Sequence, residues 1–262
     1  MGGALVAGLL SSGWGKVEEL VVAEISEGRR IQLSEAYGVE TLARAVDAVK
    51  GAGTVLLALK QADVAPVCQD IGGSLAGGAC VVSIVAGMPT HVIEARLPEG
   101  TPVVRAMPNT PALVGSGMAG ICAGRHANEE HLRVAEDILS AVGRVVRLPE
   151  HLLDAVTALS GTGPAYCFLL AEALVDAGIY LGLPRDTATT LAVQTMLGSA
   201  RMLAETARSP ADLRAQVTSP GGTTTAAMRV LEQAGVRAAF LEAVKAAAER
   251  SHELGRAHTI EH

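Results

Sequence analysis

Apolar residues in the first 148 positions gather into short runs separated by amphipathic stretches. Strands are expected at 20–23, 54–59, 81–85, 103–106, 118–122 and 144–148. Several lack polar alternation, as strands do when both sheet faces are covered. Helices are expected at 2–10, 27–36, 42–49, 63–71, 91–96 and 128–142. Alternation of this kind predicts a doubly wound α/β domain with a parallel sheet. Beyond Pro149 the strand pattern stops, and 151–159, 164–181, 186–207, 210–216, 224–234 and 236–254 follow a helical period. Pro164, Pro184 and Pro210 stand where helices begin, and Gly182 and Gly235 where helices end. The expected division is an α/β domain over 1–148 and an all-helical domain over 149–262.

The helical half carries more apolar surface than it can bury. Leu169, Leu170, Ala173, Leu174 and Ala177 recur at helical spacing, and several helices are apolar around most of their circumference. A small helical domain cannot cover all of that, so a partner subunit is expected. Composition sharpens the picture. Hydrophobic residues make up 49% of the 262-residue chain but aromatics only 2%, so the core must be built from Ala, Val and Leu. No uncharged apolar run approaches the ~20 residues of a membrane span. The N-terminus lacks the marks of a secretory signal, and a cytoplasmic location is expected. A net charge of −6 without a dense Lys/Arg cluster argues against nucleic-acid binding. Cys68, Cys80, Cys122 and Cys167 are scattered through apolar stretches without a CxxC pair and are expected to be buried free thiols. The histidines suggest no metal site: His126 and His131 flank a loop and a helix start, and His258 and His262 fall in a polar tail.

The start of the chain is unusual. A dinucleotide-binding domain opens with a strand, then G-x-G-x-x-G, then a helix. Here Met1-Gly2-Gly3-Ala4-Leu5 matches only the end of that fingerprint, with Gly2 as its third glycine. The expected second strand ends at Glu24, where a ribose-binding acid belongs. The first strand and two glycines are therefore expected to precede residue 1 of a longer native chain, which an intact-mass measurement would test.

Three segments carry candidate chemistry. Ala58-Leu59-Lys60-Gln61 closes a buried strand at the sheet edge that binds ligands, with Lys60 facing either cofactor or solvent. Arg105-Ala106-Met107-Pro108-Asn109-Thr110-Pro111 is a second strand end, stiffened by two prolines. Thr218-Ser219-Pro220-Gly221-Gly222-Thr223-Thr224-Thr225 is the most telling. Its glycines let backbone N–H groups converge at a helix start, which suits a carboxylate or phosphate. A helix start capped without a ligand is the competing reading. Ser160-Gly161-Thr162-Gly163-Pro164-Ala165-Tyr166 permits close approach of a second helix or of a ligand.

These segments, with Gly182-Leu183-Pro184, resemble in order the hallmark stretches of the pyrroline-5-carboxylate reductases. The resemblance implies a Rossmann-type domain and an all-α dimerisation domain. It implies NAD(P)H-dependent reduction of Δ1-pyrroline-5-carboxylate to L-proline, the last step of proline biosynthesis. Homodimers, often assembled into decamers, with substrate at the dimer interface, are implied as well. Carried over by residue, substrate would meet Ser160, Ser219, Gly221, Gly222, Thr223 and Thr224, with the Thr224 hydroxyl at the ring nitrogen as the catalytic group. Cofactor would meet Gly2, Glu24, Ser26, Arg29, Ala58, Leu59, Lys60, Val85, Ala86, Gly87 and Asn109. Gln61 departs from the family, which commonly has proline there, and the glycine fingerprint is incomplete.

Glu24 favours the ribose hydroxyls of NADH, whereas Ser26, Arg29 and Arg30 suit the 2′-phosphate of NADPH. The resemblance favours NADPH, with NADH also accepted. A β-hydroxyacid dehydrogenase shares the two-domain plan but requires a lysine in its helical domain, and no lysine lies between His151 and Val244. A cofactor-impaired paralogue or scaffold is the other alternative.

Overall fold

The computed structural model describes residues 1–257, so His258 and His262 lie outside the described residues. The chain runs α1 (Gly2–Ser11), β1 (Val21–Ala23), α2 (Glu27–Tyr37), β2 (Glu40–Leu42), α3 (Ala45–Ala48), β3 (Thr54–Leu57), α4 (Gln61–Gly72), β4 (Cys80–Ser83) and α5 (Thr90–Glu94). It continues through β5 (Val103–Met107), β6 (Gly117–Ala123), α6 (Glu129–Ser140) and β7 (Gly143–Arg147). The remainder is helical: α7 (Leu153–Val156), a π-turn (Thr157–Gly161), α8 (Gly163–Tyr180), α9 (Arg185–Glu205), α10 (Pro210–Gln216), α11 (Thr223–Gln233) and α12 (Val236–Ala257).

Five strands form one sheet in the order β3-β4-β5-β6-β7, and β1-β2 form a separate parallel pair. The expected doubly wound architecture is present. Two details differ from the sequence reading. β6 runs antiparallel to β5, because the short crossing at residues 110–114 reverses the chain rather than carrying it over the sheet. Residues 40–42 form a strand where the helix of 42–49 was expected to begin, and that helix is reduced to Ala45–Ala48. Each of β1 and β3 pairs on one side only, so the sheet divides where a fingerprint domain carries its first strand.

The chain separates into two compact units. The first holds 1–162 together with the end of α12 from Ala246, and the second holds Gly163–Lys245. Residues 150–162 and the last turns of α12 thus go with the sheet. In the first unit, two apolar clusters cover the sheet. One packs Leu57, Val81 and Val103 beneath Val64, Ile71 and Ile93, and the other packs Val82, Val104 and Ile121 beneath Leu5, Ala135 and Leu139. β4 and β5 are buried along almost their whole length, as strands covered on both faces are.

A polar seam pins the end of α12 to this unit. Arg105, only 5% exposed, lies 3.3 Å from Glu150 and 3.9 Å from Asp154. The Glu150 carboxylate also accepts from the Thr90 amide and hydroxyl, both at 2.7 Å, and Asp154 accepts from the Ser251 hydroxyl at 2.7 Å. A guanidinium taken out of water needs such partners, and here the carboxylates supply them.

The second unit packs α8 against α9 through Val175, Ile179, Ala188 and Ala192. Its large apolar side chains otherwise lie open in the single protomer: Phe168 is 64% exposed, Leu169 66% and Leu241 71%. The helical run from Glu150 to Tyr180 is long and apolar enough, by length and composition, to cross a membrane.

Candidate active site

Carboxyl ends of the parallel strands and the helix starts that follow them collect the expected cofactor residues. Gly2 opens α1, whose N-terminus has no side-chain cap, and a side chain at Gly2 would meet Ala58 at 3.2 Å. That is the close helix–strand packing expected of a third fingerprint glycine. Arg29 lies over Gly3, with a guanidinium nitrogen 3.1 Å from where a Cβ would stand. Its charge therefore sits beside the same uncapped helix start. Glu24 follows β1 and accepts the Ser26 amide at 2.9 Å, while the Ser26 hydroxyl caps α2 by accepting from the Arg29 amide at 3.4 Å. Arg30 is turned inward, donating to the carbonyls of Glu24 at 2.7 Å and Ile25 at 3.0 Å. Arg29, exposed and with Nη1 donating to Gln32 Oε1 at 3.2 Å, is the more accessible of the two guanidinium groups.

After β3, Ala58 and Lys60 are exposed and Leu59 is half-buried, and Lys60 holds the cap position of α4. After β4, Val85, Ala86 and Gly87 form a tight turn with Gly87 at φ +66°. The chain thus provides an uncapped helix start, an acid and a guanidinium at one strand end, and a tight turn at another, which together fit a nicotinamide dinucleotide.

Asn109, expected beside the cofactor, spends its amide within the protein. Its Nδ2 donates to the Ser160 carbonyl at 3.1 Å and hydroxyl at 3.2 Å, and its Oδ1 accepts from the Met118 amide at 2.9 Å. Ser160 stands in the π-turn, closed by the Thr162 amide donating to the Thr157 carbonyl at 2.8 Å. Pro164, four residues on, has no N–H to return to the Ser160 carbonyl, and Asn109 supplies a donor there. Sequence reasoning had no signal for this π-turn.

In the second unit, Gly221 turns the chain at φ +70° and α11 begins at Thr223 with Gly222 as its N-cap and no side-chain cap. The first amides of α11 have no partner within the helix and point along its positive end. Two side chains hold the bend. Thr225 donates to the Ser219 carbonyl at 2.6 Å, and the Ser219 hydroxyl fills the space beside Gly222, 2.4 Å from where a Cβ would stand. Thr224 is half-buried between exposed Thr223 and Thr225.

Three of the four thiols are buried. Burial pushes Cys68 and Cys80 up to about 11 and Cys122 up to about 12, with Glu150 reinforcing the last. Cys167 on α8 is exposed in the protomer rather than buried in its apolar stretch.

Sheet, crossover helices and an uncapped glycine-rich helix start define a dinucleotide-dependent oxidoreductase with a helical second unit. Residues 1–87 match the family model of NADP oxidoreductases, coenzyme F420-dependent, and residues 150–254 match that of the pyrroline-5-carboxylate reductase dimerisation domain. The chain is 44% identical to the pyrroline-5-carboxylate reductase of Corynebacterium melassecola, over 98% of this chain and 96% of that one. It is 46% identical to that of Mycobacterium tuberculosis, over 97% and 93%. Among solved structures, the pyrroline-5-carboxylate reductase of Coxiella burnetii superposes with a TM-score of 0.91 at 38% identity, covering 96% of this chain and 93% of that one. The Plasmodium falciparum pyrroline carboxylate reductase, solved with NADP bound, gives 0.86 at 28%, with the same coverage. The chain belongs to the pyrroline-5-carboxylate reductase family, and it is an NAD(P)H-dependent oxidoreductase.

Proposed function

We propose that this chain reduces Δ1-pyrroline-5-carboxylate to L-proline, with its substrate carboxylate held by the bend at 219–224. The observation that carries the reading is the uncapped start of α11, where the Gly221–Gly222 bend leaves backbone amides for an anion. Converging amides in a closed cleft bind a carboxylate more firmly than an exposed helix dipole does. Amides of Gly221, Thr223 and Thr224 grip the acid, while the Gly222 amide, donating to the Ser219 carbonyl at 3.1 Å, closes the bend that the Ser219 hydroxyl shapes. The Thr224 hydroxyl contacts the ring nitrogen, and Ser160 completes the substrate set. A bound nicotinamide supplies the hydride for the imine carbon. A protonated imine is already a good electrophile, so orientation does most of the work and contributes ~7–11 kcal/mol where geometry is good.

Cofactor contacts fall to Gly2, Glu24, Ser26, Arg29, Ala58, Leu59, Lys60, Val85, Ala86 and Gly87. Asn109 serves the substrate set instead, by bracing Ser160. Arg29 beside the start of α1 favours NADPH, with NADH accepted at lower efficiency; a strong preference for NADH in parallel kinetics would reverse that assignment. The working form is a cytoplasmic homodimer, assembling further towards a decamer, built on the apolar faces of α8, α9 and α12. The functional domains divide near residue 148, a sheet domain for cofactor and a helical domain for substrate and dimerisation.

The test is proline formation by Thr224→Ala. Loss of about a hundredfold in kcat is expected where a group assists proton placement on a ring nitrogen. Unchanged turnover removes Thr224 from the chemistry.

A further inference from the structure

Gln61 stands at the first position of α4, immediately after the strand end that carries Lys60. Proline fits this position well because its N–H has no helical partner. A glutamine there has instead a side chain long enough to reach a neighbouring strand end. Gln61 Nε2 donates to the carbonyl of Ala86 at 2.5 Å, 25 residues along the chain. β3 and β4 are adjacent and parallel, and the Ile84 amide, donating to the Leu57 carbonyl at 3.1 Å, continues their ladder to the edge of this turn. Gln61 extends that tie beyond the last backbone bond.

Its position relative to Gly87 gives the tie a purpose. A Cβ built at Gly87 would meet Gln61 Nε2 at 2.8 Å, Leu254 Cβ at 3.3 Å and the Ser251 carbonyl at 3.7 Å. The turn is therefore held between the glutamine amide and the last turns of α12, the latter fixed by the Ser251–Asp154–Arg105 seam. Gly87 itself has φ +66°, a conformation open to glycine at little cost, so nothing intrinsic to its backbone keeps the turn in this shape.

We propose that Gln61 is a positioning residue that clamps the Val85–Ala86–Gly87 turn in the shape that receives the nicotinamide end of the cofactor. The proposal rests on reading that turn as the nicotinamide pocket. The clamp lowers the ordering cost of binding by keeping the turn fixed before the cofactor arrives. Its influence reaches cofactor affinity through Ala86 and leaves the carboxylate bend untouched.

Two variants test it. Gln61→Met keeps length and apolar bulk but removes the donor. Gln61→Glu keeps the shape, places an acceptor against the Ala86 carbonyl, and adds a charge favourable at a helix start, so α4 still forms. NADPH affinity is read by fluorescence titration without turnover, and amide exchange at 86–88 is read without cofactor. Both variants should bind NADPH about three- to tenfold more weakly, the range for losing one ordinary hydrogen bond, with Gln61→Glu the weaker. Exchange at 86–88 should accelerate, and KM for pyrroline-5-carboxylate should stay within twofold of wild type, since that substrate is placed elsewhere (about a twofold error in each measurement is allowed for). Equal or tighter NADPH binding overturns the proposal, and tighter binding would mean that the glutamine amide competes with the cofactor for Ala86. Unchanged exchange overturns it too. Failure of the native chain to bind NADPH would instead remove the cofactor reading on which the clamp rests.

Discussion

The sheet unit and the helical unit solve the burial problem differently. Around the sheet, two clusters of twelve and eleven residues are closed within one protomer. In the helical unit the buried cluster holds three, Val175, Ala188 and Ala192, while Phe168, Leu169 and Leu241 stand open. Exposed apolar surface of that extent marks a face meant for another chain. The sheet unit closes its core within one molecule, whereas the helical unit leaves a face that another chain would have to cover. On the proposed site assignment, cofactor binding depends on intramolecular packing and substrate binding on subunit association.

Placing charges on the open face should break the contrast most severely. Phe168→Asp should abolish dimerisation and with it proline formation, because a carboxylate buried without a partner costs several kcal/mol. Light scattering and activity would read this, and an active dimer would refute the assembly reading. Next comes a truncation in each unit. Ile121→Ala in the closed core should destabilise by about 2–5 kcal/mol in urea unfolding, whatever the protein concentration. Leu241→Ala, 71% exposed in the protomer, should cost stability that grows as protein concentration falls. A near-neutral, concentration-independent effect would take Leu241 out of the interface.

The smallest effect is a pH dependence confined to the sheet unit. Folding raises Cys68 and Cys80 from 9.0 to about 11 and Cys122 from 9.0 to about 12. The folded state thus holds thiol protons that the unfolded chain releases above pH 9. Stability from this source is complete below pH 9 and is lost as pH rises towards 12. The melting temperature should be level to about pH 8.5, given the usual thiol range, and decline above it. Cys122→Ala should soften the decline, and an unchanged slope would exclude that thiol.

The doubly wound plan, the helical second half and the unburied apolar faces were all legible, because each is written as periodicity over many residues. What escaped was short or depended on contacts across the chain. β2 is three residues long, too few to display a period, and the reversal of β6 depends on a turn rather than on a pattern. Asn109 was named beside the cofactor by the resemblance, and the sequence held no sign that its side chain bonds Ser160. The Gly221–Gly222 bend was readable because its glycines and threonines sit side by side. Gln61 was visible in the sequence as a departure, with no means of telling where its amide goes.

Pro164 is chemically subtractive: it contributes by withholding a proton. Any other residue at 164 would offer an amide towards the Ser160 carbonyl, and Asn109 would then share that oxygen with the helix. The imino acid thereby turns an internal helical contact into a joint between two distant stretches of sequence, with no added side chain needed to make the opening.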